Sequence, residues 1–327
     1  MKNTNTKAYL ALLVVCIVWG TTYLALRIGV MTFPPFLFSA FRQIIAGTLL
    51  LIVLLIMKGK IVISKKDLIR QIVPGILMIA LGNGVIAWSE KYIPSGLAAL
   101  IVSVMPLYVI LINYVVGVKK QAMNKQIIFG LLLGGVGVVL IFKDNLADLG
   151  NRAYLTGVIV AFISCFCWAA GTVYTKQRPS QANSFVNAAV QFVSGGIVLF
   201  IGSIFLDDWS QMAAVSANSL LALAYLILFG SIAAYVCYLY ALKHLPSGLA
   251  SVYAYINPFI AIILGFLVLN ERTTWITWLA FLTTLTGVYW INKGYTKDKA
   301  LHKEENEEPR GVIRDKDATK KSVYLEG

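Results

Sequence analysis

Apolar stretches of about 20 residues recur along this chain, separated by short polar segments. A helix of about 20 residues, rising 1.5 Å per residue, crosses a hydrocarbon core about 30 Å thick. Because these stretches hold few charged residues, each one predicts a membrane-spanning helix. We predict ten spans, at residues 8–28, 35–57, 69–89, 96–117, 127–143, 153–176, 184–206, 218–241, 248–269 and 275–292.

Composition agrees with an integral membrane protein. Hydrophobic residues make up 58% of the chain and charged residues 13%, against about 25% charged residues in an average soluble domain. The four cysteines all fall inside predicted spans and show no metal-ligand or disulfide spacing. The first apolar stretch has no small-residue cleavage site, so it predicts the first helix rather than a signal peptide.

The net charge of +13 does not indicate a nucleic-acid partner, because the basic excess lies between the spans. With the N-terminus in the cytoplasm, and without counting the tail from residue 293, thirteen Lys and Arg residues fall in cytoplasmic segments and five in the opposite loops and span ends. This distribution follows the positive-inside rule. It predicts that both termini are cytoplasmic.

The chain also repeats itself. The segment Tyr92-Ile-Pro-Ser-Gly-Leu-Ala-Ala, followed by Pro106, reappears 152 residues later as His244-Leu-Pro-Ser-Gly-Leu-Ala-Ser, followed by Pro258. Duplication of a five-helix unit explains this similarity. Because five is odd, the second copy must cross the membrane in the opposite orientation.

We therefore predict an all-α integral membrane fold of ten transmembrane helices, arranged as two inverted five-helix repeats. The repeats occupy residues 1–145 and 146–292. Residues 293–327 are highly charged and poor in large apolar side chains, so they predict a disordered cytoplasmic tail.

Inverted repeats are typical of alternating-access transporters, which bind their substrate near the midplane between the halves. The chain has no phosphate-binding GxxxxGK[ST] loop, which favours a secondary transporter without a cofactor. One alternative is an integral-membrane enzyme acting on lipid-linked substrates, but His244 and His302 are the two histidines and neither adjoins a carboxylate pair. A channel-like facilitator is a second alternative.

Two charged residues are candidates for function. Arg42 lies well inside the second span, where a cation should face a cavity or a partner. It either anchors a substrate carboxylate or snorkels to the outer interface. Glu90 closes the third span on the same face as Asn83, and it is either a proton-coupling group or an interfacial anion paired with Lys91 or Arg27.

Two prolines lie near the middle of the fourth and ninth spans. Pro106 and Pro258 each remove a backbone hydrogen bond, to the carbonyls of Val102 and Ala254. The same kink in both halves predicts a pair of hinges, although purely structural kinks are common.

Aromatic and polar residues recur at helical spacing. Trp19 and Tyr23 are four residues apart, as are Ser164 and Trp168, and Tyr235 follows the same pattern in the eighth span. Such stripes predict cavity walls with aromatic rings and hydroxyl groups. Helix packing and interfacial aromatic belts produce similar patterns.

The ten spans, the repeat, Trp19-Gly20, Arg42 and the paired Pro-Ser-Gly-Leu-Ala motifs together resemble the drug/metabolite transporter superfamily, EamA type. The likeness covers about residues 8–292. It implies a carrier in the cell inner (plasma) membrane that exports small metabolites, above all amino acids or related amphipathic solutes. We expect a monomer in the lipid bilayer, with protons as a candidate coupling ion.

In that family, helices one to four and six to nine surround a central cavity. Gln191 occupies the position that matches Arg42, so an anion anchor would belong to one half alone. The resemblance implies the cavity residues Trp19, Tyr23, Arg42, Asn83, Trp88, Ser103, Trp168, Gln191, Tyr235, Tyr253 and Asn257.

Overall fold

The structure is a computed structural model that describes residues 2–58, 60–116, 124–144, 148–245, 250 and 253–307. These residues form helices joined by short turns, and they contain no strand. We number the helices α1 Lys2–Val30, α2 Pro35–Lys58, α3 Lys65–Ser89, α4 Ser95–Val115, α5 Lys125–Asp144, α6 Arg152–Gln177, α7 Ser184–Leu206, α8 Ala217–His244, α9 Tyr253–Leu269 and α10 Trp275–Glu307. We call α1–α5 the first half and α6–α10 the second half.

Several helices begin where the sequence supplies a polar capping residue. The side chains of Ser64, Asn151, Asn183 and Ser216 each accept a backbone N–H from the first turn that follows them. Such a cap satisfies a donor that the helix itself leaves unpaired. The first residues of α3, α6, α7 and α8 are therefore set by local sequence.

The helices have the length and surface of membrane spans. In the described residues, seven are long and apolar enough to cross a membrane, and α5, α9 and α10 contain shorter apolar segments. Large apolar side chains face outward, such as Ile56 at 80% exposure and Phe205 at 78%. Such a surface suits hydrocarbon rather than water, and the predicted all-α membrane fold is confirmed.

Most predicted spans agree with the helices to within a few residues, and α7 agrees at both ends. The predicted start of the ninth span, at residue 248, lies outside the described residues. The apolar segment of α10, Trp275–Ile291, agrees with the tenth predicted span, 275–292. The helix itself continues to Glu307, into the segment for which a disordered tail is predicted. Residues 308–327 of the predicted tail lie outside the described residues.

A π-helical segment interrupts both α3 and α8 at mid-length. These segments are Gly75–Gly84 and Leu226–Ala233. The first follows Pro74, which has no N–H to continue the α-helical pattern. Wide turns of this kind are rare, and they occur often at functional sites.

Glycines bring helices from the two halves together. A Cβ on Gly287 of α10 would lie 2.7 Å from the Gly130 carbonyl oxygen and from the Gly134 nitrogen of α5. In the α2–α7 contact, a Cβ on Gly47 would lie 2.7 Å from Val193, and one on Gly196 would lie 2.7 Å from Ile44. Backbones therefore approach closely at both interfaces, as small residues permit in membrane helices.

One loop carboxylate of the second half caps a helix of the first half. Asp207 accepts hydrogen bonds from the backbone nitrogens of Phe36, at 3.3 Å, and Leu37, at 2.7 Å. Burial raises the pKa of the Asp207 carboxyl above its ordinary value, although the hydrogen bonds from Leu37 and Phe36 act in the opposite direction. The start of α2 is thus tied to the end of α7.

A second loop carboxylate acts in the same way. Glu271, between α9 and α10, accepts hydrogen bonds from Ser95 N at 2.9 Å and from Gly96 N at 3.2 Å. The Ser95 hydroxyl also donates to it. An anion at a helix N-terminus is favourable both as a cap and toward the helix dipole, so Glu271 holds the start of α4 against the second half.

Candidate functional site

A cavity lies between the halves, with walls from α1, α2, α3, α4, α6 and α9. It contains about 580 Å³ that atoms do not fill, part of it open to the outside. Its lining comprises Trp19, Thr22, Tyr23, Leu26, Arg42, Gly82, Asn83, Ile86, Val102, Ser164, Cys165, Trp168, Tyr253 and Asn257. Seven residues of the cavity set implied by the resemblance are in this lining: Trp19, Tyr23, Arg42, Asn83, Trp168, Tyr253 and Asn257.

Arg42 is held in the cavity wall by one polar side chain each from α3 and α8. Its Nε donates to Ser231 Oγ of α8 at 2.9 Å, and its Nη1 donates to Asn83 Oδ1 of α3 at 3.0 Å. Gln43 donates to the same Asn83 oxygen at 3.0 Å and accepts from Ser231 Oγ at 3.4 Å. This closed network fixes the orientation of the guanidinium group.

The charge of Arg42 has no carboxylate partner within 4 Å among the described residues. The side chain is only 3% exposed, so water screens it poorly. Two of its five N–H donors are used by Ser231 and Asn83. The remaining donors are available to an acceptor in the cavity.

Trp19 and Gly230 join the aromatic part of the cavity to Arg42. Trp19 Nε1 of α1 donates to the Gly230 carbonyl oxygen, in the π-helical segment of α8, at 3.0 Å. A Cβ on Gly230 would lie 3.2 Å from Arg42 Nη2 and 2.9 Å from Thr22 Cγ2. The absence of a side chain at residue 230 therefore lets the α8 backbone lie against both groups.

Aromatic rings surround Trp19. Its ring centroid lies 4.8 Å from that of Tyr253, 5.1 Å from that of Tyr238 and 5.6 Å from that of Trp168. The contacts with Tyr253 and Trp168 are edge-to-face, which is a favourable arrangement for aromatic pairs. The cavity thus has an aromatic wall built around Trp19.

The π-helical segment of α3 is bonded in the same manner as that of α8. Ser164 Oγ of α6 donates to the Gly82 carbonyl oxygen. In each case a side chain from one half satisfies a carbonyl in the π-helical segment of the other half. Neither bond was predicted, because nothing in the sequence indicated the π-helical segments.

Asn257 ties α9 to α1. When the Asn257 amide is oriented with its nitrogen toward the backbone acceptors, this nitrogen donates to the carbonyl oxygens of Tyr253 and Cys16 at 3.0 Å each. Asn257 therefore lines the cavity with an amide that is already engaged by backbone, which makes it a weaker candidate for substrate binding than Arg42.

Four residues implied by the resemblance do not line this cavity. Tyr235 packs behind the wall, with its ring centroid 6.3 Å from that of Trp19, and its hydroxyl donates to Gln191 Oε1. Gln191 in turn donates to Gln71. These three side chains form a buried polar chain across α3, α7 and α8, so Gln191 supports the aromatic wall instead of mirroring Arg42.

Trp88 and Ser103 also lie away from the cavity. Trp88 packs beside Phe36, Ala40 and Leu199, and its ring centroid lies 4.7 Å from that of Tyr92. It is five residues after Asn83, which places it about 140° around an α-helix from that residue. The Ser103 hydroxyl donates to the Leu100 carbonyl within α4.

Glu90 is fully buried, and neither of its carboxylate oxygens has a hydrogen-bond partner among the described residues. Arg27 donates to the backbone carbonyl of Glu90 rather than to its side chain. Lys91 instead donates to Gln211, at 3.0 Å. The interfacial ion pair considered for Glu90 is therefore not formed within the described residues.

The two prolines have different local structures. The α4 helix is interrupted at Ser103, just before Pro106, and resumes at Met105. The carbonyl of Val102 accepts the thiol of Cys165 at 3.6 Å. Pro258 lies inside the continuous helix α9. A hinge role for the prolines stays a prediction.

Six lining residues were not assigned in advance: Thr22, Leu26, Gly82, Ile86, Val102 and Cys165. Ser164, one turn before Trp168, belongs to a predicted stripe and does line the cavity. Gln43 was also missed, although a buried amide beside Arg42 indicates a polar network. The apolar lining residues give no signal that separates them from lipid-facing positions.

Comparison with known proteins adds independent information. The model of the EamA-like transporter family matches residues 6–143 and 155–293. An Escherichia coli K12 protein described as the uncharacterized inner membrane transporter YedA is 32% identical over 285 residues, which cover 87% of this chain and 90% of that protein. The uncharacterized transporter YoaV of Bacillus subtilis 168 is 25% identical, over 86% of this chain and 96% of its own length.

One solved crystal structure has the same fold. It superposes with a TM-score of 0.64 and covers 89% of this chain and 98% of its own. The sequences are 19% identical, so this likeness concerns the fold alone.

Proposed function

We propose a specific activity for this chain, which belongs to the EamA-like transporter family and is a membrane transporter. The activity is secondary export of small metabolites, most of all amino acids or related amphipathic solutes, through the cavity beside Arg42. Transport proceeds by alternating access between two inverted repeats, residues 1–145 and 146–292.

A single observation carries the proposal. The guanidinium of Arg42 is buried, has no carboxylate within 4 Å among the described residues, and adjoins an aromatic wall. An unpaired buried charge is costly, and a substrate carboxylate at this position would offset that cost with strong charge-assisted hydrogen bonds. The neighbouring Trp19 and Trp168 rings suit an apolar substrate group.

The direction of transport and the orientation belong to the proposal as well. Apart from the tail from residue 293, thirteen basic residues fall in segments on the predicted side of the N-terminus and five on the opposite side, which supports cytoplasmic termini. The relative YedA is named an inner membrane transporter. We place this chain in the same type of membrane.

Glu90 is the proposed proton-coupling group. A carboxyl group buried without hydrogen-bond donors is disfavoured in its charged form, and it gains or loses a proton as its surroundings open or close. Arg27 and Arg42 supply nearby positive charge, whereas Glu271 supplies like charge. The hinge role of Pro106 and Pro258 is part of the same proposed cycle.

Flux measurements with purified protein in liposomes test the proposal. Efflux of radiolabelled amino acids is measured for the wild type, Arg42→Gln and Arg42→Lys, with and without a pH gradient. We expect Arg42→Gln to lower the rate roughly tenfold or more, because it removes charge-assisted hydrogen bonds to the substrate. Arg42→Lys keeps the charge and retains part of the flux.

Arg178→Gln is the matched control, since this arginine is exposed and lies outside the cavity. Its flux should equal that of the wild type. Glu90→Gln should abolish the effect of the pH gradient on efflux, but it should retain the efflux that is measured without a gradient. Absence of flux above empty liposomes for every amino acid would overturn the amino-acid proposal, and normal flux in Arg42→Gln would overturn the role of Arg42.

The alternatives of a membrane enzyme and a channel-like facilitator gain no support from the relatives, which are named transporters. A channel would conduct without saturation by substrate, so saturation of the measured efflux distinguishes a carrier from a channel.

A further inference from the structure

We propose that Gln43 is a positioning residue that makes the cavity select solutes with a carboxylate. It acts through Arg42, because it holds the guanidinium in place without neutralising its charge. The inference rests on the proposed function, since it concerns which solutes the cavity beside Arg42 accepts. It requires no contact between Gln43 and the solute.

Gln43 closes a ring of hydrogen bonds around Arg42. Its amide nitrogen donates to Asn83 Oδ1 at 3.0 Å, and its amide oxygen accepts from Ser231 Oγ at 3.4 Å. Arg42 donates to the same two atoms, from Nη1 at 3.0 Å and from Nε at 2.9 Å. Adjacent residues of a helix do not face each other, so these two side chains of α2 are joined through partners on α3 and α8.

The directions of these hydrogen bonds suit an amide at residue 43. Asn83 Oδ1 accepts two hydrogen bonds, so the side chain of residue 43 supplies a donor on that side. The Ser231 hydroxyl accepts from Arg42 and has one proton to donate, so the same side chain supplies an acceptor on the other side. Glutamine supplies both and carries no charge. The ring therefore fixes the guanidinium and leaves its positive charge uncompensated.

The charge balance around Arg42 depends on this neutrality. Arg42 is 3% exposed and Gln43 is 1% exposed, so water screens little between them. Glu90 acts on Arg42 through its charge but, like every other described carboxylate, lies more than 4 Å from it.

The side chain of residue 43 is close enough to decide that balance. Gln43 and Arg42 bond the same two groups, so the Gln43 amide lies within about 6 Å of the guanidinium, where an opposite charge has a strong effect. A carboxylate at this position would satisfy Arg42 from within the protein. The amide leaves the charge of Arg42 to be satisfied by a solute.

Ligand-induced stabilisation of the purified full-length protein in detergent tests this role. A ligand that binds the folded state raises the unfolding temperature according to its concentration and affinity. Benzoate is a probe with a carboxylate and an aromatic ring, and benzamide is its uncharged counterpart. Because charge-assisted hydrogen bonds are stronger than neutral ones, benzoate should stabilise the wild type at concentrations about tenfold lower than benzamide requires.

Gln43→Glu replaces the amide with a carboxylate of nearly the same shape. One carboxylate oxygen can keep the bond from Ser231, and Asn83 can turn its amide to donate to the other. We expect the preference for benzoate to vanish, because the new carboxylate pairs with Arg42. The unfolding temperature without ligand should not fall, because the buried cation gains a partner.

Gln43→Met separates the charge from the hydrogen bonds, because it removes the amide and adds no charge. It should lower the unfolding temperature, since Asn83 and Ser231 each lose a hydrogen-bond partner. The preference for benzoate should decrease but remain, because Arg42 keeps its charge and loses only its fixed orientation.

Gln71→Glu is the matched control for Gln43→Glu. Gln71 is also 1% exposed, but it lies twelve residues before Asn83 on α3 and bonds to Gln191 rather than to Arg42. A buried carboxylate at this position should leave the preference for benzoate as in the wild type. Loss of the preference in Gln71→Glu would overturn the assignment to Gln43.

Three further outcomes would overturn the inference. The first is equal stabilisation of the wild type by benzoate and benzamide. The second is an unchanged preference in Gln43→Glu. The third is an unfolding temperature that falls as far in Gln43→Glu as in Gln43→Met, since the lost preference would then come from disruption of the ring.

These outcomes are separate from the flux assay. A wild type that transports amino acids without preferring benzoate retains the proposed function and loses the inference. A wild type that prefers benzoate, loses that preference in Gln43→Glu and shows no amino-acid flux retains the inference and loses the amino-acid proposal.

Discussion

At the scale of the residue, Trp19 contributes both a ring and a hydrogen-bond donor to the cavity. Trp19→Phe keeps an aromatic ring but leaves the Gly230 carbonyl without the indole donor. A buried acceptor that loses its partner costs about 1–3 kcal/mol. We expect the free energy of unfolding in detergent to fall by about that amount, from chemical denaturation.

Trp275→Phe is the control for Trp19→Phe. Trp275 is 72% exposed, so the same exchange should leave the free energy of unfolding unchanged. Equal losses in the two variants would show that the hydrogen bond to Gly230 contributes nothing.

Asp207 predicts a pH dependence of stability. Its pKa is raised above 3.8 by burial, so the folded state binds the proton more tightly than the unfolded state. The contribution of this carboxyl to stability is therefore present below pH 3.8 and is lost as the pH rises through the raised value.

Replacing Asp207 with Asn keeps an acceptor for α2 and removes the titration. Between pH 4 and 7, the unfolding temperature of Asp207→Asn should fall less with rising pH than that of the wild type. Asp207→Ala loses the cap as well, which costs about 1 kcal/mol at all pH values. Identical pH profiles for the wild type and Asp207→Asn would contradict this assignment.

Individual residues also show which parts of the candidate site could be predicted from the sequence and which could not. Arg42 was recognisable because a charge within a span stands out. Trp88 does not line the cavity, because position in the span indicates a residue's depth but not its direction around α3. Gln191 matched Arg42 by repeat position, yet its partners Gln71 and Tyr235 come from other helices that no local pattern connects.

At the scale of the element, α5 and α10 provide a test of close packing. Gly130 faces the backbone of Gly287, where a Cβ would collide with its carbonyl. Gly135 lies five residues further along α5 and has nothing within 4 Å of its Cβ position. Gly130→Ala should lower the unfolding temperature, whereas Gly135→Ala should leave it unchanged or raise it, because alanine favours helix by about 1 kcal/mol.

Thermal unfolding of both variants in the same detergent measures this difference. Because the two substitutions are chemically identical on one helix, helix propensity cancels between them. Equal unfolding temperatures would mean that α5 and α10 do not pack through Gly130.

Spans were predictable at this scale because length and hydropathy are local properties of the sequence. The π-helical segments were not predictable, since the carbonyls of Gly230 and Gly82 accept hydrogen bonds from Trp19 and Ser164 of the opposite half. The continuation of α10 beyond the tenth span has a different origin. An existing span extends without a nucleation cost, and residues 295–308 contain neither glycine nor proline to stop it.

At the scale of the whole molecule, Glu271 connects the two halves. Glu271→Ala leaves the backbone nitrogens of Ser95 and Gly96 without their acceptor. We expect a loss of about 1–2 kcal/mol in unfolding free energy, as for other helix caps. Glu271→Gln retains an acceptor and should lose less.

Asp148→Ala, at an exposed carboxylate outside this contact, is the control and should behave as the wild type. Denaturant unfolding of the three variants decides the matter. If Glu271→Gln were as damaging as Glu271→Ala, the negative charge near the α4 dipole would be the main contribution, and not the cap.

The two-half organisation was visible in the sequence because the Pro-Ser-Gly-Leu-Ala motif recurs with Pro106 and Pro258 at one offset. The contacts between the halves were not visible. Asp207 and Glu271 lie in loops whose partners are more than 150 residues away in the chain. The repeat shows that the chain consists of two units. It does not show which side chains meet at the interface, because each of these contacts joins residues of different units.

The exchanged bonds of Trp19 and Ser164 have an evolutionary consequence. The carbonyls of Gly230 and Gly82 each lie in the π-helical segment of one half, and each accepts a hydrogen bond from a side chain of the other half. A change at one of these residues would favour a compensating change in the other half, so substitutions at these positions should be correlated between halves rather than within them.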